Sequence, residues 1–457
     1  PWNDTTPTDT VFTLGTPGSI NYNGYNYIAY LFAHNEAVFG EDGDEPITYC
    51  GQYTGNGTND GVAVNVGFEP QWLMVKCDST TADWFIFDNM RGVVTDHTPT
   101  ANDAALLPSQ NSSEADYQFG DFTQDGFRVS GNSNDFNGNG QTYIYMAIRR
   151  PNKPASEFAA TDLFVPVLGS GTSGTNPDFI TGFPVDMFIH KQHASTQAYL
   201  STRLTQQRII RTESTDAETD HSDFQFDHQN GVMKGGYTSS YQTYNFRRAK
   251  GFFDVACYKG TGSAFTVKHN LGVVPELLIL RSREDADSWV VWDTNADLST
   301  SSPLFSDFTQ ARRYPKNSID GTAPTASVFS VGSAGFSTNT NGTHYIALLF
   351  ASVPGICKIG TYSGNAGSDV NVDCGFSSGA RFVLIWKTTS SGPGWYIFDT
   401  VQGLVAGNDP YWLLGASSGQ VTGTDYIDPL SSGFTITSSA PNAINPSSGT
   451  MAFLAIA

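Results

Sequence analysis

The sequence predicts an all-β protein, a tandem array of four β-sandwich-like repeats of about 100 residues each, preceded by the last strands of a fifth. Three observations predict it. Of 457 residues, 15% are charged, 13% are aromatic and 46 are glycine, a composition suited to strands joined by tight turns rather than to helices. The hexapeptide "DWFIFD" (Asp83 to Asp88) returns as "SWVVWD" (Ser288 to Asp293) and "GWYIFD" (Gly394 to Asp399). Around each copy the same flanking features recur in the same order, which marks a duplicated module rather than an isolated strand.

Taken in order, each full unit opens with a tyrosine and a glycine turn: "YTGNG" from Tyr53, "YKGTG" from Tyr258 and "YSGNA" from Tyr362. A glycine-led apolar strand ending in a cation follows: "GFEPQWLMVK" (Gly67 to Lys76), "LGVVPELLILR" (Leu271 to Arg281) and "GFSSGARFVLIWK" (Gly375 to Lys387). Eight residues beyond the cation stands a tryptophan, and four later an aspartate: Lys76/Trp84/Asp88, Arg281/Trp289/Asp293 and Lys387/Trp395/Asp399. A "GF" pair then opens a strand at Gly126, Gly335 and Gly433, before a final apolar strand, "YIYMAI", "YIALLF" or "MAFLAI". A diverged unit keeps "GFPVDMFIHK" (Gly182 to Lys191) and places Tyr199 in the tryptophan slot and Arg203 in the aspartate slot.

The cations at 76, 191, 281 and 387 are 115, 90 and 106 residues apart, so each unit has the size of one small domain with its own core. The expected division is 1–35 (closing strands of a preceding repeat), 46–150, 157–250 (diverged), 251–352 and 355–457. Val11 to Ala33 reads as two such closing strands, and with Pro1 at the start the polypeptide is expected to extend upstream.

A hairpin folding 71–76 back on 84–88 sets Lys76 opposite Trp84, and the same spacing sets Lys191 against Tyr199, Arg281 against Trp289 and Lys387 against Trp395. A cation over an aromatic ring is worth about 0.5–2 kcal/mol and would fix register. The tryptophans could serve as sugar-stacking platforms, but within apolar strands core or inter-repeat packing is the reading taken, and the following aspartate closes a turn or meets a cation.

The formal charge of −20 and pI near 4.6, with no basic run, argue against nucleic-acid binding. No apolar run has the length of a membrane helix, so no membrane insertion is expected. Cys50, Cys77, Cys257, Cys357 and Cys374 are odd in number and irregular in position, as free buried thiols of a protein folded in a reducing cytoplasm would be. "DFNGNG" (Asp135 to Gly140) begins like a calcium loop but meets Met146 where the closing acid belongs, and reads as a hairpin turn. "GEDGDE" (Gly40 to Glu45) reads as a solvated acidic loop. "GASSG" (Gly415 to Gly419) lacks the following helix of a nucleophile elbow. His190, His193, His221 and His228 share no carboxylate pattern. No catalytic residue, metal site or cofactor is expected.

The pattern Y-x-G-x-G, "GFEPQWLMVK", W-x-x-x-D, "GF" and "YIYMAIRR" resembles repeated domains in structural proteins of marine tailed bacteriophages, described as tail fibre or tail-associated proteins. "VKHNLGVVPELLILRSREDADSWVVWD" (Val267 to Asp293) is similar to a segment of phage fibre domains. The likeness covers 46–150 and 251–457, and 157–250 loosely. It implies a non-enzymatic virion protein, assembled in the host cytoplasm, in a tail fibre or receptor-binding appendage. Such proteins are homo-oligomers, trimers above all, touching other virion proteins and a host surface receptor such as a glycan. A capsid decoration or head fibre and a glycan-binding or depolymerising surface protein remain alternatives. Receptor contacts are expected on loops that differ between units, first at Tyr411 and Trp412 of "NDPYWLLG".

Overall fold

The computed structural model describes residues 5–35, 37–40, 43–95, 102–171, 177–194, 197–294, 320–333, 338–387 and 394–457. Gly335 and part of the acidic loop at Gly40 to Glu45 lie outside them. The chain divides into two compact units, residues 1–49 and 50–457.

In the first unit the expected closing strands are not formed. Gly18–Asn21 makes one helical turn, and Tyr22, Tyr25, Tyr27, Ile28, Tyr30, Leu31 and Phe32 are exposed. The physical reason is pairing: a closing strand in the full repeats lies between two neighbours, and residues 1–35 contain no counterpart of either. A short pair, Ala37–Phe39 with Glu45–Pro46, is the sheet of this unit.

Four copies of one topology follow, and their regular structure is nearly all β. In each large sheet the order is first, closing, central and hexapeptide strand. Repeat 1 sets Thr48–Thr54, Thr142–Arg149, Pro70–Cys77 and Trp84–Asp88 side by side, and Asp103–Leu106 and Ala115–Tyr117 extend the sheet. Repeat 2 uses Phe164–Leu168, Tyr241–Phe246, Met187–Gln192 and Ala198–Thr202, with Arg208–Arg211 and Thr219–Asp220 outside. Repeat 3 uses Phe253–Lys259, His344–Phe350, Leu277–Ser282 and Val290–Asp293. Repeat 4 uses Cys357–Ser363, Thr450–Ile456, Phe382–Lys387 and Tyr396–Asp399, with Trp412–Leu413 outside. A smaller sheet of two or three strands completes each repeat. It always joins the strand after the first turn to a later strand: the one opened by "GF" in repeats 1 and 4, Gly231–Val232 in repeat 2, and in repeat 3 Val328–Val331, which precedes the expected opening at Gly335.

The glycines of these motifs answer to close approach. A Cβ on Gly55, Gly260 or Gly364, the glycines of Y-x-G, would lie 2.4, 2.1 or 2.3 Å from Gly138 O, Thr340 O or Pro446. On Gly126, Gly433 or Gly231 it would lie 1.9, 2.1 or 2.2 Å from a carbonyl of the paired strand. Neither site admits a side chain.

Strand alternation sends one face of each large sheet to its own small sheet and the other outward. In repeat 4 the inner set includes Val383, Ile385, Phe398 and Phe434, and repeats 2 and 3 have cores of the same kind. The outward faces of repeats 2, 3 and 4 do not meet water. They form one further core containing Ile189, Leu200, Ile279, Trp289, Leu348, Leu384, Trp395 and Ile397. The expectation of one core per module therefore needs correcting: three sheets, each apolar on both faces, share a core, as such strands must.

Candidate functional site: latches and inter-repeat junctions

The polar residues of this protein converge on two kinds of place, a latch inside each repeat and the seams between repeats. Three latches are alike. The tyrosine of Y-x-G lies in the core and its hydroxyl donates to a carbonyl: Tyr53 to Phe136 O (2.8 Å), Tyr258 to Thr338 O (2.8 Å) and Tyr362 to Ile444 O (2.6 Å). The next residue is in each case a buried asparagine. Asn137 accepts from Asn56 N (2.9 Å) and donates to Thr58 O (2.9 Å) and Gly131 O (2.7 Å). Asn339 accepts from Thr261 N (2.8 Å) and donates to Ser263 O (2.8 Å) and Gly332 O. Asn445 accepts from Asn365 N (2.7 Å) and donates to Ser368 O and Thr437 O (both 3.1 Å).

One amide thus ties the opening turn to the end of the small-sheet strand, using its acceptor and both donor hydrogens. Repeat 2 substitutes a carboxylate: Asp178 accepts from Gly235 N (2.5 Å) and Gly236 N (2.9 Å). Sequence reasoning missed these asparagines, although each stands six residues before Tyr143, Tyr345 or Met451. "DFNGNG" is this latch: its Asn137 is fully buried and bonded to backbone.

The cation and aromatic pairing is formed in two repeats. Lys76 Nζ lies 5.9 Å from the centre of the Trp84 ring, and Arg281 Cζ 5.7 Å from that of Trp289. In the other two the expected pairs are not made. Repeat 4 pairs Ile385 with Tyr396, so Trp386 and not Lys387 lies opposite Trp395, and the two indoles stack at 4.5 Å and 8°. Repeat 2 pairs Lys191 with Ala198 and His190 with Tyr199. Its tryptophan and aspartate slots are therefore Ala198 and Thr202, not Tyr199 and Arg203. The hairpin is one residue longer in repeat 4 and one shorter in repeat 2, and a single-residue slip exchanges the faces.

Where the hexapeptides of repeats 3 and 4 end, the repeats join. Asp88 and Asp399 close the same turn with one carboxylate oxygen: Asp88 accepts from Met90 N and Arg91 N, Asp399 from Val401 N and Gln402 N. The other oxygen of Asp399 receives Tyr244 Oη (2.8 Å) and Gln242 Nε2 (3.0 Å) of repeat 2. Asp293 of repeat 3 receives Trp386 Nε1 of repeat 4 (3.2 Å), and Trp289 Nε1 reaches Arg211 O of repeat 2 (3.3 Å).

Repeat 1 is held by charge. Arg248 spans Glu69 (2.9 Å) of repeat 1, Asp186 (3.4 Å) of repeat 2 and Asp254 (3.7 Å) of repeat 3. Arg150 adds contacts to Glu69 (3.1 Å) and Asp254 (3.9 Å), and Arg203 one to Asp186 (3.4 Å). Three carboxylates thus meet three guanidinium groups out of water. Burial alone would raise the Glu69 carboxyl, but Arg150 and Arg248 outweigh it and hold it below its usual range. Asp186 is likewise lowered against its burial by Arg248 and Arg203, whereas burial leaves Asp254 raised. A second pair, Arg283 and Glu218, is wholly buried and bidentate (2.7 Å twice), and Arg283 also donates to Thr95 O of repeat 1.

Other candidates resolve as follows. Tyr411 and Trp412 cannot meet a receptor as placed: Tyr411 is 9% exposed and packs on Tyr396, and Trp412 is 0% exposed between Tyr244 and His193. Their segment forms a strand beside the hexapeptide strand, which draws both rings inward. His190 lies among Phe179, Tyr199, Phe224, Tyr237 and Tyr241, and its burial lowers its pKa to about 3. Of the five cysteines, Cys77, Cys357 and Cys374 are buried free thiols, and Cys50 and Cys257 are half-buried. Asp409, Asp425 and Asp428 bring carboxylate oxygens within 4.8 Å of one another, a grouping the sequence reading did not single out. Asp409 itself clamps Tyr426 N and Ile427 N, as Asp103 clamps Phe119 N and Gly120 N in repeat 1, so backbone capping accounts for its place.

Fold and seams together define a tandem β-sandwich protein whose buried polar groups fasten strands and repeats. Residues 1–151 and 246–457 match the family described as Domain of unknown function (DUF7483), and the chain belongs to that family. No curated protein matches it. The unmatched stretch, 152–245, is nearly all of the diverged repeat, the one in which the latch asparagine and the hexapeptide tryptophan are both replaced.

Proposed function

We propose that this chain is a non-enzymatic structural protein of a bacteriophage virion, serving in a tail fibre or receptor-binding appendage that attaches to the host surface. The observation that supports the reading most directly is the employment of its charged and aromatic groups. Arg248, Arg283, Glu69 and the tryptophans of repeats 3 and 4, which in an enzyme or lectin would face a cleft, are spent on fastening one repeat to the next. Three fused outer faces and buried ion-pair networks make a stiff body, the property needed in a part that transmits force between particle and cell. The phage assignment itself rests on the resemblance of the repeat motifs.

The test is localisation. Gold-labelled antibody against the purified chain should decorate an appendage of the particles whose genome encodes it, and purified chain should compete with those particles for adsorption. Label on the capsid shell would instead favour a decoration protein, and absence of label from particles would overturn the reading.

A further inference from the structure

Capping occupies only half of the Asp409 carboxylate. Oδ2 accepts from Tyr426 N (3.0 Å) and Ile427 N (3.1 Å), whereas Oδ1 is buried without a hydrogen-bond partner on a residue that is 0% exposed. Oδ1 of Asp425, the residue just before the capped pair, is buried and unpartnered as well. One carboxylate oxygen each from Asp409, Asp425 and Asp428 lies within 4.8 Å of the others, and Oδ1 is the oxygen that Asp409 has free to join them. Ionised oxygens gathered out of water without a donor need a proton or a cation.

Repeat 1 shows the same place with its charge compensated from within. Asp103 caps Phe119 N and Gly120 N as Asp409 caps Tyr426 N and Ile427 N, but its Oδ1 also accepts from Val94 N (2.9 Å). Counting from the capped pair, the neutral Gln118 stands where repeat 4 has Asp425, and Asp121 where it has Asp428. Asp121 receives Arg128 Nε (3.0 Å) from its register partner across the hairpin. The register partner of Asp428 is Thr435, whose hydroxyl turns instead to Asn371 Oδ1 (2.8 Å). Repeat 4 has thus gained a carboxylate and lost the guanidinium, and among the described residues no Lys, Arg or His pairs with its three acids.

We propose that Asp409, Asp425 and Asp428 bind one calcium ion, which holds in repeat 4 the place that the Arg128 guanidinium holds in repeat 1. An all-carboxylate set selects a hard cation over zinc or copper. Opposite oxygens around calcium lie about 4.6–5.2 Å apart, twice its bond length, which spans this grouping, whereas magnesium would draw them to about 4.2 Å. Asp409 leads into the outer strand of the large sheet, Trp412–Leu413, and Asp428 lies in the small-sheet strand Ile427–Leu430, so the ion would fasten one sheet to the other. This inference does not depend on where the protein works.

Isothermal titration of calcium chloride into the full chain, stripped with EDTA and dialysed, tests it. One ion per chain is expected, with Kd below about 1 mM, together with a higher melting temperature in calcium. Asp425→Asn and Asp428→Asn, both at half-buried positions, should each weaken binding at least about tenfold and abolish that rise. Thr435→Arg, which supplies the cation of repeat 1, should do the same with unchanged circular dichroism, and if it does not fold the two asparagine variants decide. Asp44→Asn, at an exposed position outside the grouping, should bind as the parent does. Absence of binding at calcium tenfold above that limit would overturn the proposal. So would binding indifferent to Asp425→Asn and Asp428→Asn, binding lost in Asp44→Asn, or magnesium binding as tightly as calcium.

Discussion

At the scale of single residues, the side chain with the most to lose is the latch asparagine. Its amide is the one neutral group that accepts from one strand while donating twice to others. Asn137→Ala would orphan the buried Gly131 O, at a cost of about 1–3 kcal/mol, while Asn56 N and Thr58 O, on exposed residues, turn to water. A loss of about 1–3 kcal/mol is expected by urea denaturation. Asn137→Asp should be no milder, because a carboxylate cannot donate to those carbonyls. His190 yields a prediction with a definite sign. Its folded pKa, about 3, is depressed below the ordinary 6.5, so between those values the unfolded chain binds a proton that the folded chain excludes. Stability from this group is complete above pH 6.5 and falls as pH drops, by about 2 kcal/mol at pH 5. His269, lowered to about 4 by burial, adds a slope of the same sign. His190→Phe should remove its own part, and an unchanged pH profile of melting temperature in that variant would refute the assignment.

At the scale of elements, the hexapeptide strand shows how one sequence pattern takes different energies from different surroundings. Trp395 is 3% exposed against Trp386 and the shared core, whereas Trp84 is half-buried on an open face. Trp395→Ala should cost about 3–5 kcal/mol, the range for a large aromatic removed from a core. Trp84→Ala should cost less than half of that, as read from urea denaturation midpoints. The same strand explains what could be read beforehand. Alternation and recurrence are local, so the sheet, the hexapeptides and the Lys76 and Arg281 pairings were visible in the sequence. The exchange of Lys387 for Trp386 was not, because a cation-to-tryptophan spacing of eight persists while the hairpin gains a residue, and spacing does not reveal where a turn begins. Tyr411 and Trp412 looked like loop residues because a two-residue strand carries no periodicity. The latch asparagines left a six-residue spacing, hidden in segments rich in Asn and Gly.

At the scale of the molecule, stability depends on how repeat 1 is tied to the rest, since it contributes no residue to the shared core of repeats 2, 3 and 4. Its joints are polar: Glu69 with Arg248, Thr95 O with Arg283, Thr95 N with Leu204 O. Buried ion pairs add little over apolar packing when intact, but removing one partner costs about 3–5 kcal/mol, because the remaining charges lose both water and counterion. Arg248→Met removes the cation shared by Glu69, Asp186 and Asp254, leaving three carboxylates with Arg150 and Arg203 alone. Repeat 1 should then separate from repeats 2–4 as its own unit, and calorimetry should show two transitions in place of one. Acid should act in the same direction. Glu69 and Asp186 are held below their ordinary values of 4.5 and 3.8, so the stability they supply is present above those values and is lost as pH falls through their folded ones. The early transition in Arg248→Met should be nearly flat in that acid range, whereas the unaltered protein should lose stability there. A single transition in the variant with the acid dependence of the parent would mean that repeat 1 is held by something other than its buried charges.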